Sequence, residues 1–213
     1  WLGAVIATLA KTGRDKLTLL TSPTLANFGL WMEQLIAESL GKEGKGVIPI
    51  VAEPVLATEH YGNDRLFIDL ALDDDIYSKS DSNIDGLRAA GNPVIQLKLS
   101  DRYDIGKEFF RWEYAIAIAG AIMEVNPFNQ PNVDMSKANT VQVLKRDAGG
   151  TPMLLFDTSS SLSRLLTQAN PGDYLAILIY VEPTHEIDKS LKDLRKRIMI
   201  HSKIATSVGY GPR

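Results

Sequence analysis

The sequence predicts an α/β fold in which a doubly wound parallel sheet carries a small C-terminal α+β appendage. Short apolar runs of strand length alternate with longer stretches of helical period, which is the pattern of successive βαβ units. The runs are almost continuously apolar, as expected of parallel strands that are buried on both faces. They are Leu17–Leu20, Val47–Val51, Leu66–Leu72, Val94–Leu99, Met153–Phe156 and Tyr174–Val181.

The helix predicted after the first strand spans about Pro23 to Leu40. Ser22 is a suitable N-cap, Pro23 fits the first helical position and Gly41 ends the helix. Because residues three or four apart share a face, the helix has an apolar stripe for the core and a second stripe that is polar and aromatic. We expect this second stripe to point away from the sheet. It consists of Asn27, Trp31, Gln34 and Glu38.

Three further helices are predicted from helical period and from their boundary residues. The first, from about Asp104 to Glu124, ends before Asn126-Pro127, because proline disfavours a helical residue ahead of it. The next begins near Asn132, which can act as its cap. The last spans about Thr184 to Lys196.

The length of 213 residues favours one principal domain with an appendage. The pattern changes beyond Gly149-Gly150, so we expect one domain in residues 1–150. Residues 151–213 are expected to add a strand-helix-strand extension that completes the sheet or forms a small subdomain. The chain opens with Trp1 in an apolar segment that has no initiator methionine and no charged region of a signal peptide, so we expect its start to be internal to a longer protein.

Composition excludes several classes of partner. A net charge of -3 provides no basic field for a nucleic acid backbone. The most apolar run, Tyr114–Val125, is shorter than the roughly 20 residues of a membrane span. The chain has no cysteine, which rules out disulfides and thiolate metal sites and favours a reducing compartment. We therefore expect a cytoplasmic protein without nucleic acid or membrane partners.

Two ordered motifs carry a resemblance to a known family. The run Trp31-Met-Glu-Gln-Leu-Ile-Ala-Glu-Ser-Leu-Gly-Lys-Glu-Gly-Lys-Gly46 resembles the phosphoglucose isomerase helix with the pattern Gln-x-x-x-Glu-Ser-x-Gly-Lys. The run Val125–Lys137 is similar to that family's Ile-Asn-x-Phe-Asp-Gln-x-x-Val-Glu-x-x-Lys signature. The resemblance implies that Glu38 is the catalytic glutamate, that Gln34 binds a sugar hydroxyl and that Lys137 is the active-site lysine.

The amino-acid sequences of several segments are most similar to those of bacterial bifunctional transaldolase/glucose-6-phosphate isomerases. This resemblance extends over nearly the whole chain. Examples are Tyr61-Gly-Asn-Asp-Arg65 and Phe110-Arg-Trp-Glu113. The resemblance implies a flavodoxin-like sugar isomerase (SIS) domain, the second of two in the parent enzyme. It also implies a sugar phosphate substrate, a first SIS domain and a transaldolase domain elsewhere in the parent, and a homodimer.

The chemistry of aldose to ketose isomerisation suits these residues. One carboxylate takes the proton from C2 of the sugar and returns it to C1 through an enediolate, which needs neither a metal nor a cofactor. Glu38 is the candidate for this base; without the motif, an exposed helical glutamate beside Lys42 is the simpler interpretation. Ring opening needs a proton donor and an acceptor, for which Lys137 and His60 are the candidates. A solvated lysine and a surface histidine are the alternatives.

The junction Phe156-Asp-Thr-Ser-Ser-Ser161 offers hydroxyl and N-H groups at a helix start, which can bind phosphate, although simple helix capping explains it as well. No dinucleotide or phosphate-loop glycine pattern follows a strand, which disfavours a nucleotide-binding flavodoxin-like domain. The sequence therefore predicts part of a glucose-6-phosphate isomerase that is inactive without its partner domain. The alternative is a non-catalytic SIS module that binds sugar phosphate.

Overall fold

The computed structural model describes residues 1–73, 75, 83–146 and 162–211. The strands in these ranges are β1 (Lys16–Thr21), β2 (Ile48–Val51), β3 (Arg65–Leu72), β4 (Val94–Leu99), β5 (Tyr174–Ile179) and β6 (Ala205–Tyr210). The main sheet has the order β2-β1-β3-β4, and all of its pairs are parallel. A second sheet pairs β5 with β6, also in parallel. The parallel α/β architecture is as predicted.

Helices lie against both faces of the main sheet. The helices of the described ranges are α1 (Leu2–Lys11), α2 (Ala26–Leu40), α3 (Ile84–Ala89), α4 (Ile105–Met123), α5 (Pro131–Arg146), α6 (Leu162–Thr167) and α7 (His185–Ser202). Buried residues of α1, α2 and α4 share one hydrophobic core with β1 and β3, whereas residues of α3 and α7 share a second core. This two-sided cover confirms the doubly wound fold. In the described part of the chain, no helix combines the length and apolar character that crossing a bilayer requires.

The alternation of side chains along each strand separates the two cores. Successive residues of a strand point to opposite faces. Leu19 therefore joins the core under α1, α2 and α4, whereas the next residue, Leu20, joins the core under α3 and α7. Trp112 of α4 is fully buried in the first core, and Phe67 of β3 is fully buried in the second. A parallel sheet buried on both faces needs this continuous apolar pattern.

The C-terminal part forms a βαβ unit from β5, α7 and β6. Thr184 caps α7, since its Oγ1 accepts a hydrogen bond from Ile187 N at 3.3 Å. The helix continues to Ser202, beyond the predicted end at Lys196. The segment that follows, in which no strand was predicted, forms β6. The predicted strand Met153–Phe156 lies outside the described residues.

A buried ion pair connects the C-terminal unit with the main sheet. Arg65 of β3 is fully buried and donates to Glu53 Oε2 at 2.7 Å, to Glu53 Oε1 at 3.2 Å and to Thr18 Oγ1 at 2.8 Å. The same Glu53 Oε1 accepts from Thr206 N of β6 at 2.8 Å. A buried charge is tolerated only when it is paired and its hydrogen-bonding capacity is used. The pair thereby joins β1, β3 and β6.

Arg195 of α7 forms the second half of this connection. Its guanidinium donates to Ala52 O at 2.8 Å, to Val51 O at 3.3 Å and to Thr206 O at 2.7 Å. These acceptors belong to the end of β2 and to β6, and backbone hydrogen bonds do not pair these two strands among the described residues. The side chains of Glu53 and Arg195 therefore connect the two sheets where a strand ladder is missing.

The start of α2 differs from the predicted cap. The helix is preceded by a 3-10 turn at Pro23–Leu25, and the Ser22 side chain makes no capping hydrogen bond. Instead, Ser22 Oγ accepts from Leu72 N at 3.2 Å. Ser22 is fully buried and connects the ends of β1 and β3. Ser22 and Pro23 thus hold the predicted positions at the start of the turn, but the side-chain capping bond expected of Ser22 is absent because its hydroxyl bonds to β3.

Glu108 is a buried carboxyl group in the first turn of α4. The residue is 2% exposed, and its Oε1 lies 2.9 Å from Arg111 Nη1. Burial raises the pKa of Glu108 above its ordinary value, and the nearby Arg111 charge opposes that shift only in part. The native state thus binds the Glu108 proton more tightly than the unfolded chain does.

We expect the Arg65→Met variant to lose about 3–5 kcal/mol of stability, because it leaves the Glu53 carboxylate buried without its partner. The double variant Glu53→Gln/Arg65→Met should be more stable than Arg65→Met alone, because glutamine keeps an oxygen for Thr206 and carries no charge. Urea unfolding measures both. Lys107→Met, which removes an exposed pair with Asp104, is the control and should leave the midpoint nearly unchanged. Equal losses in the single and double variants would contradict this account.

Glu108 should also make stability depend on pH. A raised carboxyl pKa means that stability falls as pH rises from the ordinary glutamate pKa through the raised one. The Glu108→Gln variant removes this titration. The difference in free energy of unfolding between the variant and the wild type, measured at pH 4.5 and at pH 7, should shift in favour of the variant at pH 7. A difference that is the same at both pH values would show that Glu108 is not destabilised by burial.

Candidate active site

The carboxylate of Glu38 lies near the end of α2 and is held on both oxygens. Gln34 Nε2, one turn earlier on α2, donates to Glu38 Oε1 at 3.1 Å. Gln130 Nε2 donates to Glu38 Oε2 at 3.1 Å, from a loop 92 positions away in the sequence. Glu38 is exposed on the surface of the chain. Two amide donors therefore fix the orientation of a carboxylate that a ligand can reach.

The site forms where the end of α2 meets the loop before α5. Asn132 Nδ2 donates to Gly41 O at 3.0 Å, and Lys42 Nζ donates to Asn126 O at 2.6 Å. Further along, Lys45 Nζ lies 3.8 Å from Glu124 Oε2. The contacts of Asn132 and Lys42 join the two segments that resemble the isomerase motifs, whereas Glu124 precedes the second of them. A cleft of about 200 Å³ lies between them.

The cleft is lined by one side of the α2 end and by the first turn of α5. Glu38 and Lys42 contribute from the first segment, and Gln130, Asn132 and Val133 contribute from the second. Only Val133 among the residues of α5 with described side chains is half-buried; the others are exposed. The cleft is therefore a shallow surface feature, formed by two chain segments.

Lys137 lies on α5, four residues after Val133. Residues four apart in a helix share a face and are separated by about 6 Å along the axis. Lys137 thus follows the cleft-lining Val133 on the same stripe of α5. The side chain is exposed and makes no hydrogen bond or ion pair with another described residue. Its sequence spacing places it next to the cleft, although it does not line the cleft.

His60 does not line this cleft. It ends a short 3-10 turn, Thr58–His60, in the connection between β2 and β3, and this turn contacts α7. The side chain is half-buried. Of the predicted site residues, the structure brings Gln34 and Glu38 into contact, places Lys137 beyond the cleft's edge and leaves His60 in a different part of the fold.

The aromatic member of the predicted stripe behaves differently from the polar members. Trp31 stacks on Phe28 with ring centroids 5.1 Å apart and meets Phe109 of α4 edge-on at 4.5 Å. It packs against the first core and is half-buried. The stripe predicted to point away from the sheet is therefore not solvent-exposed along its whole length, because α4 covers it at Trp31.

Two residues of the site were not recognised in the sequence. Gln130 lies within the second motif, and its position there was the available signal, but its contact with Glu38 depends on the tertiary fold. Asn132 was predicted to cap α5. The helix instead begins at Pro131, and the N-H groups of Val133 and Asp134 bond to Gln130 O. Asn132 is thereby free to donate to Gly41 O.

The Glu38 cleft lies near the amino ends of the strands, whereas ligands of doubly wound sheets usually bind at the carboxyl ends. Such folds bind ligands at the carboxyl ends of the strands, where the strand order reverses, which is between β1 and β3 here. At that point Thr24 N and Thr24 Oγ1 donate to the carboxylate of Asp75. Hydrogen bonds from Ser22 and Thr24 hold the pKa of Asp75 below its ordinary value. A carboxylate of the chain itself therefore occupies this helix start.

Metal ligation has no support in the described ranges, where no three His, Asp or Glu side chains gather as a metal site requires. The hydroxyl-rich junction at residues 156–161 lies outside the described residues. The cleft at Glu38 is consequently the site that the described contacts favour.

Comparison with known proteins agrees with the motifs. No protein-family model matches the chain. The glucose-6-phosphate isomerase of Pediococcus pentosaceus is 30% identical over 168 residues, covering 57% of this chain and 35% of that enzyme. The enzyme of the same name from Lactiplantibacillus plantarum is 27% identical over 158 residues. This chain resembles glucose-6-phosphate isomerases. The similarity supports that family, over a smaller part of the chain than expected.

The chain spans about a third of the length of the curated isomerases it matches. Among solved structures, a hypothetical protein from Thermus thermophilus superposes with a TM-score of 0.54 and 22% identity, covering 70% of this chain and 45% of that one. At this identity the likeness shows the fold. It agrees with the doubly wound α/β architecture described above.

Gly41→Ala should distort the site, because a Cβ at this position would come within 2.7 Å of Ala37 O in the backbone of α2. We expect a loss of about 1–3 kcal/mol in the free energy of unfolding, typical of forced overpacking. Gly106→Ala in α4 is the matched control, since its Cβ meets nothing within 4 Å. It should instead stabilise the protein by about 0.5–1 kcal/mol. Urea unfolding of both variants tests this, and equal effects would contradict it.

Proposed function

We propose that this chain supplies the acid/base residue of an aldose-ketose isomerase that interconverts glucose 6-phosphate and fructose 6-phosphate. The observation that carries the proposal is the carboxylate of Glu38, bound on each oxygen by an amide. The two amides, Gln34 and Gln130, come from the two segments that resemble isomerase motifs. The curated relatives with this name support the same activity.

The geometry suits a proton transfer at carbon. A carboxylate oxygen has two acceptor sites, and each oxygen of Glu38 accepts one amide hydrogen bond here. The second site of each oxygen is available for a proton taken from C2 of the sugar. The fixed orientation lets the same group return the proton to C1 of the enediolate.

We propose that Lys137 takes part in ring opening from the α5 side of the cleft, because it shares the stripe of Val133. A role for His60 in the same step requires that it act on the site of a second copy of the protein, since it does not line the cleft of its own copy. The resemblance to dimeric isomerases implies such sharing between subunits.

We further propose that the remaining walls of the site come from other parts of the working enzyme. The cleft is shallow and formed by two segments, and the curated relatives are about three times as long as the part that matches. Residues 1–150 would form the second SIS domain, with residues 151–213 as its extension. A first SIS domain and a fused transaldolase domain are the proposed partners, and this chain alone is expected to be inactive.

Glu38→Gln in the full-length protein should lower the isomerase rate by about 10²–10⁴-fold, because glutamine cannot accept the proton. A coupled assay of fructose 6-phosphate conversion measures it. Glu113→Gln, an exposed glutamate on α4, is the matched control and should retain the wild-type rate.

More than about a tenth of the wild-type rate in Glu38→Gln would overturn the role of Glu38, because loss of a general base costs far more. Binding of the sugar phosphate by a wild-type protein that shows no turnover would favour the non-catalytic module. Titration calorimetry with fructose 6-phosphate separates these outcomes from simple loss of binding.

A further inference from the structure

Lys42 is a buried lysine at the join between the two motif segments. It is 4% exposed, although lysine is almost never fully buried unless it is paired. Its ammonium meets two backbone carbonyls of one loop, Asn126 O at 2.6 Å and Asn129 O. The ammonium group has three donor protons, and its hydrogen bonds to the two carbonyl oxygens link the end of α2 to this loop.

The main chain of Lys42 is itself held firmly. Lys42 N donates to Lys45 O at 3.1 Å and Lys45 N donates to Lys42 O at 2.9 Å. The two residues between them have positive φ, 56° at Glu43 and 72° at Gly44, as a tight type I′ turn requires. This turn directly follows the end of α2. The backbone from which the Lys42 side chain extends is therefore fixed by this turn.

The loop that Lys42 holds has little packing of its own. Residues 126–130 are exposed except for the half-buried Pro127, and Phe128 is 84% exposed. Apart from Pro127, which lies against Gly120 of α4, polar contacts fix the course of this loop, and Lys42 makes two of them. The loop ends at Gln130, whose amide binds Glu38 Oε2. The position of that amide depends on where the loop carbonyls lie.

We propose that Lys42 is a positioning residue that acts through Gln130: by holding the carbonyls of Asn126 and Asn129, it keeps the Gln130 amide against the Glu38 carboxylate. The inference builds on the proposed isomerase function but concerns a residue that does not itself touch the reacting carbons. It predicts that Lys42 and Gln130 act as one unit.

The test uses three variants of the full-length protein: Lys42→Met, Gln130→Ala and the double variant. Lys42→Met should lower kcat/KM by about 10–100-fold, as expected when a catalytic group is misplaced. The double variant should be no worse than the more impaired single variant, because the two residues share one effect. Lys45→Met removes only a half-exposed lysine that contacts Glu124, and it should stay within about 2-fold of wild type.

Hydrogen exchange in the same full-length variants gives a measure that needs no turnover. In Lys42→Met, the amide protons of residues 126–133 should exchange faster, including Phe128 N, which donates to Asn126 Oδ1 at 2.9 Å. The β1 and β3 amides should keep their protection. If Lys42→Met does not fold, Lys42→Gln, which keeps one shorter donor at the site, is measured in its place.

Unchanged exchange in residues 126–133 would overturn the inference whatever the activity. Losses that add in the double variant would also overturn it, because Lys42 would then act independently of Gln130. A wild-type protein without isomerase activity would instead overturn the proposed function, and the exchange measurement alone would then decide whether Lys42 positions the loop.

Discussion

The fold depends on the buried pair of Glu53 and Arg65 and on the contacts that complete it. Two sheets meet along β2 and β6 without a backbone ladder between them in the described chain. Desolvating an ion pair is costly unless its remaining donors and acceptors are also satisfied. Thr18 accepts a hydrogen bond from Arg65, and Thr206 donates to Glu53 through both its N-H and its hydroxyl. Arg195 in turn donates to Thr206 Oγ1. This network fixes where the C-terminal βαβ unit sits against β2, and hence keeps α7 over the second core.

The parallel order of the main sheet determines where the candidate site lies. In a parallel sheet each helix returns the chain to the edge where the next strand begins. The ends of α1 and α4 meet at this edge, where Lys11 Nζ donates to Ile122 O at 3.3 Å. The end of α2 lies there too, just before β2, so Glu38 is at the amino ends of the strands. The opposite crevice, typical for ligands in such folds, holds the Asp75 carboxylate.

The sequence predicted the elements whose pattern is local. Apolar runs located the described strands β1 to β5, and helical period located α2 and α4. It missed β6, because Ala205-Thr-Ser-Val-Gly-Tyr210 has small and polar residues and becomes a strand through pairing with β5 and the bond to Glu53. The motif made Glu38 and Gln34 candidates, and the structure places their side chains in contact at 3.1 Å. The contact of Gln130 with Glu38 and the burial of Lys42 arise only when segments far apart in the chain meet. For Lys42 the sequence was also misleading, because a lysine is ordinarily expected to be exposed.

The members of the proposed site are constrained to different degrees. Glu38 has an amide on each oxygen and sits on a helix that packs against the core. Lys137 sits on α5, a 16-residue helix whose apolar side chains Met135, Val141 and Leu144 are exposed. A helix of this length gains little stability without packing. Gln130 and Asn132 hold only the start of α5. The distance from Lys137 to Glu38 therefore depends on what packs against the exposed remainder of the helix. The carboxylate with its two amides is therefore the part of the site that this fold alone fixes.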